Sequence, residues 1–267
     1  MPCKIIAEIG WNHMGDMQLA KEMVSAASES GADYVKFQTW STKNLKNGPW
    51  DNDGRKEIYE KAELTRQQHC DLIAYCQKCN ILFLTSIFNN EDADWLINLG
   101  INIIKVPSHE VYNKKLLSAV NGGFKTVIVS TGAAKWEEVR AIPQFITKSD
   151  LVLMHCVAAY PCPSDKVNLP RINALKELVE HVGYSGHFFG IEDAVAALSY
   201  KVAYIEKHFT IDRNLPGRDN KFAILPQHLK SLVEYRDINE DMNKNLGLDL
   251  QTCEQDIFTN YRGRWSV

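Results

Sequence analysis

Eight short apolar runs, each followed by an amphipathic stretch, repeat from one end of the chain to the other. No other feature constrains the fold as much, because runs of period two or continuous apolarity read as strands and the 3.6-residue periods between them as helices. The runs lie at 5–9, 34–38, 81–86, 101–106, 125–130, 151–155, 182–185 and 203–208. Helical patterns follow at 16–30, 65–78, 90–99, 113–120, 136–146, 169–180, 191–200 and 226–245. Asp16, Thr65 and Asn90 stand where N-caps belong, and Gly31 and Gly100 follow expected helix ends. The runs are apolar almost without interruption, which suits strands buried on both faces of a parallel sheet. Eight such units in 267 residues predict an α/β chain closed into a (β/α)8 TIM barrel, a single domain. An open doubly wound sheet would call for a glycine-rich phosphate turn after the first run, and residues 10–15 do not make one. The barrel is expected over residues 1–246, followed by a tail at 247–267.

No stretch approaches the roughly 18 consecutive apolar residues of a membrane helix. The amino terminus, MPCKIIAEIG, lacks the regions of a signal peptide, so a cytoplasmic location is expected. The seven cysteines are odd in number, and Cys76 and Cys79 fall inside a helical pattern, which favours reduced thiols over disulfides or a zinc site. Thirty basic residues face 33 acidic ones with no basic run, and this balance predicts no nucleic-acid partner and no membrane partner. The segment 39–60, containing Trp40 and Trp50, is the longest connection and is expected to border the barrel mouth as a lid or sugar reader.

In such a barrel, chemistry gathers at the carboxyl ends of the strands. Here those ends carry Glu8, then Lys36 with Gln38, Ser86, Lys105 with Ser108 and Glu110, Ser130 with Thr131, His155, Ser185 with His187, and Glu206 with His208. Residues two apart on a strand share a face, so each of the pairs Lys36/Gln38, Ser185/His187 and Glu206/His208 points the same way. Two lysines and several hydroxyls converging on one mouth suit an anion such as a phosphate, or a carboxylate. Two histidines beside a glutamate suit a divalent metal of the Mn, Fe, Co or Zn type. His155 is expected to be structural.

These residues sit in eight segments that together resemble the sialic acid synthases, which condense phosphoenolpyruvate with an N-acylated amino sugar. The segments are AEIGWNHMGDMQLA (7–20), SGADYVKFQT (30–39), FLTSIF (83–88), IIKVPSHE (103–110), VIVSTGAAKWEEV (127–139), HCVAAYPCP (155–163), VGYSGHFFGIEDAVAA (182–197) and IEKHFTIDRNLPGRDNKFAILP (205–226). The resemblance implies that Lys36, Ser86, Lys105, Ser108, Ser130 and Ser185 hold phosphoenolpyruvate, and that His187 and His208 bind a divalent metal, Mn with Mg or Co as alternatives. It assigns sugar contacts to Glu8, Gln38, Phe88, Glu110, Tyr160 and Asp219. Either Glu206 or Glu8 would handle protons. The product would be a 3-deoxy-2-ulosonic acid, with phosphate released.

The departures from the family pattern set further expectations. Ser185-Gly186-His187 replaces the usual Ser-Asp-His, so a carboxylate that tunes the site is expected to be missing, and Ala158 replaces a usual Asn or Ser. Family members continue into an antifreeze-like domain that sends an arginine into the partner subunit's sugar site, whereas this sequence ends at YRGRWSV. Three expectations follow: the sugar is held differently, Arg262 or Arg264 substitutes, or a separate protein supplies that domain. A homodimer is implied by the resemblance. The alternatives in function are a related synthase acting on a different aldehyde, or a weakened binding subunit that needs a partner.

Overall fold

A computed structural model describes residues 2–265, apart from the side chain of Trp50, so the sugar-face expectation for Trp50 lies outside the described residues. Eight parallel strands close into a barrel in sequence order: β1 (Lys4–Glu8), β2 (Tyr34–Thr39), β3 (Leu82–Ile87), β4 (Ile103–Val106), β5 (Thr126–Ser130), β6 (Asp150–Cys156), β7 (His181–Gly186) and β8 (Tyr204–His208). The ring shuts where β1 pairs with β8, Glu8 lying opposite His208. Every expected run forms its strand, and the bounds differ by a residue or two.

Helices cover the outside: α1 (Met17–Glu29), α2 (Arg55–Ala62), α3 (Arg66–Lys78), α4 (Ala93–Asn98), α5 (Lys114–Val120), α6 (Trp136–Ala141), α7 (Arg171–Lys176), α8 (Glu192–Leu198) and α9 (Pro226–Met242). Asp16 caps α1 by accepting from the backbone N–H groups of Gln18 and Leu19, and Thr65 forms a reciprocal capping box with Gln68 on α3. Before α4 the capping side chain is Asn89 rather than Asn90, because Asn89 has the extended backbone that turns its side chain onto the Asp92 N–H. α4, α6, α7, α8 and α9 are shorter than their expected patterns, α6 and α7 most of all. Pro143, which has no N–H to give, falls in a 3-10 turn that follows α6, and Pro170 immediately precedes the start of α7. The segment 39–60 is more ordered than expected, since it holds two 3-10 turns and runs into α2. The tail 247–265 is almost wholly exposed, and Arg262 and Arg264 stack on its own Phe258 and Tyr261 at 4.7 and 5.3 Å.

The inward faces of the strands change character along the barrel axis, and this change positions the site. At the amino-terminal end Ile6, Tyr34, Leu84, Ile128, Val152 and Met154 form an apolar plug, with Ile103 and Tyr204 packed against it. Two residues further along, alternation brings Glu8, Lys36, Ser86, Lys105, Ser130, Cys156 and Glu206 to the same interior. Gly183 takes the inward place on β7 because Met154 and Tyr204 already fill it: a Cβ there would come 2.9 Å from Met154 Cγ and 3.0 Å from the Tyr204 carbonyl. The plug closes one end of the barrel, so water and ligand reach the polar layer from the carboxyl end only. The larger apolar cluster lies between strands and helices and holds the two layers together.

Candidate active site

Four ionisable side chains, each at most 5% exposed, form the floor of the mouth. Lys36 Nζ lies 2.7 Å from Glu8 Oε2 and 3.8 Å from Glu206 Oε2, while Lys105 Nζ lies 2.7 Å from Glu206 Oε1. Lys36 also donates to Ser86 Oγ at 2.9 Å, Ser185 Oγ donates to Glu206 Oε1 at 3.1 Å, and Gln38 Nε2 donates to Glu8 Oε1 at 2.6 Å. Buried charges of this kind persist only when paired. Pairing leaves both lysines ordered, with donor capacity still facing the mouth. Ser130 Oγ is buried without a hydrogen-bond partner, a donor left for a ligand. Ser108 Oγ accepts from the Gly132 N–H at 3.1 Å and lies 3.4 Å from Cys156 Sγ.

The two carboxyl groups are driven apart. Burial pushes Glu8 up to about 7, with the negative charge of Glu206 adding to the shift and Lys36 opposing it. Burial opposes ionisation of Glu206 as well, but the charges of Lys105 and Lys36 and the hydrogen bonds from Lys105 and Ser185 outweigh it, and its pKa is lowered. Burial lowers Lys105 against the pull of Glu206. The result is one carboxyl group that can take up or release a proton near neutral pH beside a second that stays ionised, the division of labour on which acid–base sites are built.

His187 and His208 stand together at the ends of β7 and β8, their ring centroids 5.5 Å apart. Burial pushes His187 down to about 4 and holds His208 well below the ordinary value, the neighbouring His187 adding to the effect. Both imidazoles are therefore neutral. The Val157 carbonyl can only accept, so His187 Nδ1 donates to it at 2.7 Å and the lone pair is left on Nε2. His208 Nδ1 is buried without a hydrogen bond, 3.4 Å from Asp219 Oδ2. Two neutral imidazoles, one of them with its tautomer fixed, suit a metal. Among the described residues no third His, Cys, Asp or Glu completes a three-ligand group.

Of the residues expected to touch a sugar, Tyr160 stands against the histidines, Asp219 lies beside His208, and Gln38 pairs with Glu8. Phe88 packs edge-on against Trp40 at 5.5 Å and lies 5.0 Å from His109, Glu110 accepts from Asn113 at 2.8 Å, and Tyr160 lies 4.1 Å from the His187 ring and 5.8 Å from Phe222. Trp40 is buried in a cluster with Trp11 and Tyr59, and its indole N–H donates to the Tyr59 carbonyl. It anchors the long β2–α3 segment to the rim rather than presenting a free face. His155 donates Nε2–H to the Val167 carbonyl at 2.7 Å, which ties β6 to a loop. Thr131 Oγ1 turns back to the Met154 carbonyl. Sequence reasoning missed Cys156 and Phe222 at the mouth. The alternation through Val152 and Met154 pointed to Cys156, whereas Phe222 lies in irregular chain and carried no signal.

Position 186 itself carries no carboxylate, but one from another element lies beside it. Gly186 faces out of the barrel, and a side chain there would collide with Asp193 Oδ2 on α8. A carboxylate already occupies that space. It comes from a helix instead of the strand.

A barrel whose open end is lined by paired buried lysines, serine hydroxyls and two neutral histidines is an enzyme scaffold shaped for an anionic substrate. The chain belongs to the NeuB family, whose model matches residues 23–246. It is 37% identical over 260 residues to an N,N'-diacetyllegionaminic acid synthase of Campylobacter jejuni, covering 91% of this chain and 78% of that protein. A pseudaminic acid synthase of the same species is 32% identical, with 86% of this chain and 71% of that protein covered. Among solved structures, the N-acetylneuraminic acid synthetase of Leptospira borgpetersenii, crystallised with citrate, superposes with a TM-score of 0.87 at 32% identity, covering 97% of this chain and 90% of that one. Among the described residues no helix is long and apolar enough to cross a membrane.

Proposed function

We propose that the protein condenses phosphoenolpyruvate with the aldehyde of an N-acylated amino sugar, giving a 3-deoxy-2-ulosonic acid of the sialic acid type and inorganic phosphate. The chain is a condensing synthase of its family, and the sugar acceptor and the metal are the parts of this reading that go further. The observation that carries it is the buried quartet Lys36, Glu8, Lys105 and Glu206, with Ser86, Ser130 and Ser185 around it. Phosphoenolpyruvate bears two anionic groups, and two ordered lysines with a set of hydroxyls provide for both. Because each lysine is already held by a carboxylate, little side-chain freedom is lost on binding.

In the reaction, C3 of the enol phosphate attacks the aldehyde carbon, and water adds at C2, passing one proton to the Glu8 carboxylate and the other to the departing phosphate, which carries off the bridging oxygen by C–O cleavage. Lys36, Lys105 and the serines fix the enol phosphate so that C3 faces the acceptor. Glu8, held near neutrality by burial, donates a proton to the aldehyde oxygen as it becomes a hydroxyl, while Glu206 stays ionised and keeps the lysines in place. His187 and His208 would hold a divalent ion, Mn with Mg or Co as alternatives, and this ion supplies Lewis-acid polarisation of the aldehyde when bound. Tyr160, Phe222 and Phe88 offer apolar faces, and Gln38, Glu110 and Asp219 offer polar groups, a mixture that suits a sugar. Retention of both lysines, both carboxylates and both histidines supports an enzyme over a binding subunit.

The test is phosphate release from phosphoenolpyruvate with Mn²⁺, across N-acetylmannosamine, di-N-acetylated trideoxyhexoses and simple aldoses. Release that depends on an amino-sugar acceptor is expected. Release with none of them, or only with simple aldoses, refutes the acceptor assigned here.

A further inference from the structure

We infer that Lys207 and Asp193 are positioning residues that clamp the ends of β7 and β8 and thereby set the spacing of His187 and His208; this rests on the two-histidine reading above. Lys207 is the residue before His208, and alternation turns its side chain outward while Glu206 and His208 face the mouth. Its ammonium, 2% exposed as a residue, makes three hydrogen bonds: to Asp193 Oδ1 at 2.9 Å, to Asp193 Oδ2 at 3.0 Å, and to the Phe188 carbonyl at 2.8 Å. Phe188 is the residue after His187. One side chain on β8 therefore grips the chain immediately beyond the histidine on β7.

Asp193 completes the clamp from the outer layer. Its Oδ2 accepts from the Tyr184 hydroxyl at 2.8 Å, and its Oδ1 accepts from the Ala194 N–H at 2.8 Å. The carboxylate is thus fixed to β7, β8 and the first turn of α8 at once. The Lys207 and Asp193 side chains are 2% and 1% exposed, so the pair is buried as deeply as the floor of the mouth, yet neither member faces it. A buried ion pair that serves packing alone is replaceable by apolar groups of the same shape at little cost. This one directs one of its three lysine hydrogen bonds to a backbone carbonyl next to a candidate ligand. That is the contact expected of an outer shell that orients ligands.

Gly186 provides a stringent check. A Cβ there would fall 2.2 Å from Asp193 Oδ2 and 2.7 Å from Tyr184 Cε1, so Asp193 and Tyr184 together require glycine at this position. Gly186→Ala should therefore disturb the clamp in the same direction as D193A.

The experiment uses the full chain and two readouts: hydrogen–deuterium exchange of residues 187–190, which needs no metal, and Mn²⁺ affinity by titration calorimetry. Lys207→Met is expected to raise exchange in 187–190 while leaving the β1 and β2 ends unchanged. It should also weaken Mn²⁺ binding about 10- to 100-fold with phosphoenolpyruvate affinity within about twofold. Asp193→Ala should behave alike. Unchanged exchange in a folded Lys207→Met overturns the clamp, and raised exchange with unchanged Mn²⁺ affinity overturns its role toward the histidines. Should wild-type protein bind no Mn²⁺, the two-histidine reading falls, and the exchange data alone then confirm or overturn the clamp. If Lys207→Met does not fold, Tyr184→Phe, which removes one hydrogen bond to Asp193, takes its place with the same direction of effect.

Discussion

Lys105→Met removes a buried charge while keeping most of the side-chain volume, and its cost follows from what Glu206 has left. The lost contact is 2.7 Å long, worth about 6 kcal/mol at an effective dielectric constant near 20 before desolvation is counted. Desolvation of the lysine, no longer required, offsets part of this, and breaking a buried pair from one side costs about 3–5 kcal/mol. Glu206 keeps the Ser185 hydroxyl at 3.1 Å and Lys36 at 3.8 Å, which places the loss at about 3 kcal/mol, the lower end of that range. Glu206→Gln should destabilise similarly by stranding Lys105. The double variant removes both charges and should cost about 1 kcal/mol, leaving a coupling of several kcal/mol between the sites. Urea denaturation of the four proteins at one pH measures all of this. Calorimetry with phosphoenolpyruvate separates the roles. Lys105→Met should lose about 10- to 100-fold in affinity, the equivalent of one hydrogen bond from a charged group, whereas Glu206→Gln keeps the lysine charge but loses the group that orders it and should lose less than Lys105→Met. Additive destabilisation in the double variant, or undiminished binding by Lys105→Met, would refute this account of the floor.

Glu8 should impose a pH dependence with a definite sign. Its folded value of about 7 lies above its ordinary 4.5, so the native state holds the extra proton between them; the stability it contributes is full below about 4.5 and lost as pH rises through 7. Urea midpoints of Glu8→Gln should therefore gain on wild type from pH 5 to pH 8, and a difference independent of pH would show that Glu8 is not shifted. His187→Ala should abolish Mn²⁺ binding with phosphoenolpyruvate affinity nearly unchanged, and retained Mn²⁺ affinity by calorimetry would remove this histidine from the ligand set. Trp40→Ala empties a buried aromatic site, an effect of about 3–5 kcal/mol where it is felt globally. Limited proteolysis should then cut within 39–63 faster than in wild type, and unchanged cleavage would mean that the aromatic cluster does not anchor the segment.

The barrel was legible because its strands are buried on both faces, which leaves long apolar runs that no other local structure explains. The floor was legible for a related reason: two-residue alternation placed Lys36, Ser86, Lys105, Ser185 and Glu206 on one side as soon as the strands were known. Harder to read were features decided across layers. Gly183 and Gly186 look alike in the sequence, yet one makes room for Met154 inside the barrel and the other for Asp193 outside it. The Lys207–Asp193 pair joins a strand to a helix, and nothing in either segment's own periodicity announces a buried charge. Helix lengths were overestimated where Pro143 and Pro170 interrupt the apolar pattern. The order within 39–60 depends on Glu63, which accepts from Ser41 and Thr42 across the loop, a contact no local pattern contains.

The most direct test of the central claim follows the atoms. Phosphoenolpyruvate labelled with ¹⁸O at the bridging position is turned over with Mn²⁺ and the accepting amino sugar, and both products are weighed by mass spectrometry. The account predicts an acid heavier than the sugar by one pyruvate unit and free of label, with the ¹⁸O carried into phosphate. Label retained in the acid, or no acid formed beyond the level of the Lys105→Ala variant, would contradict it.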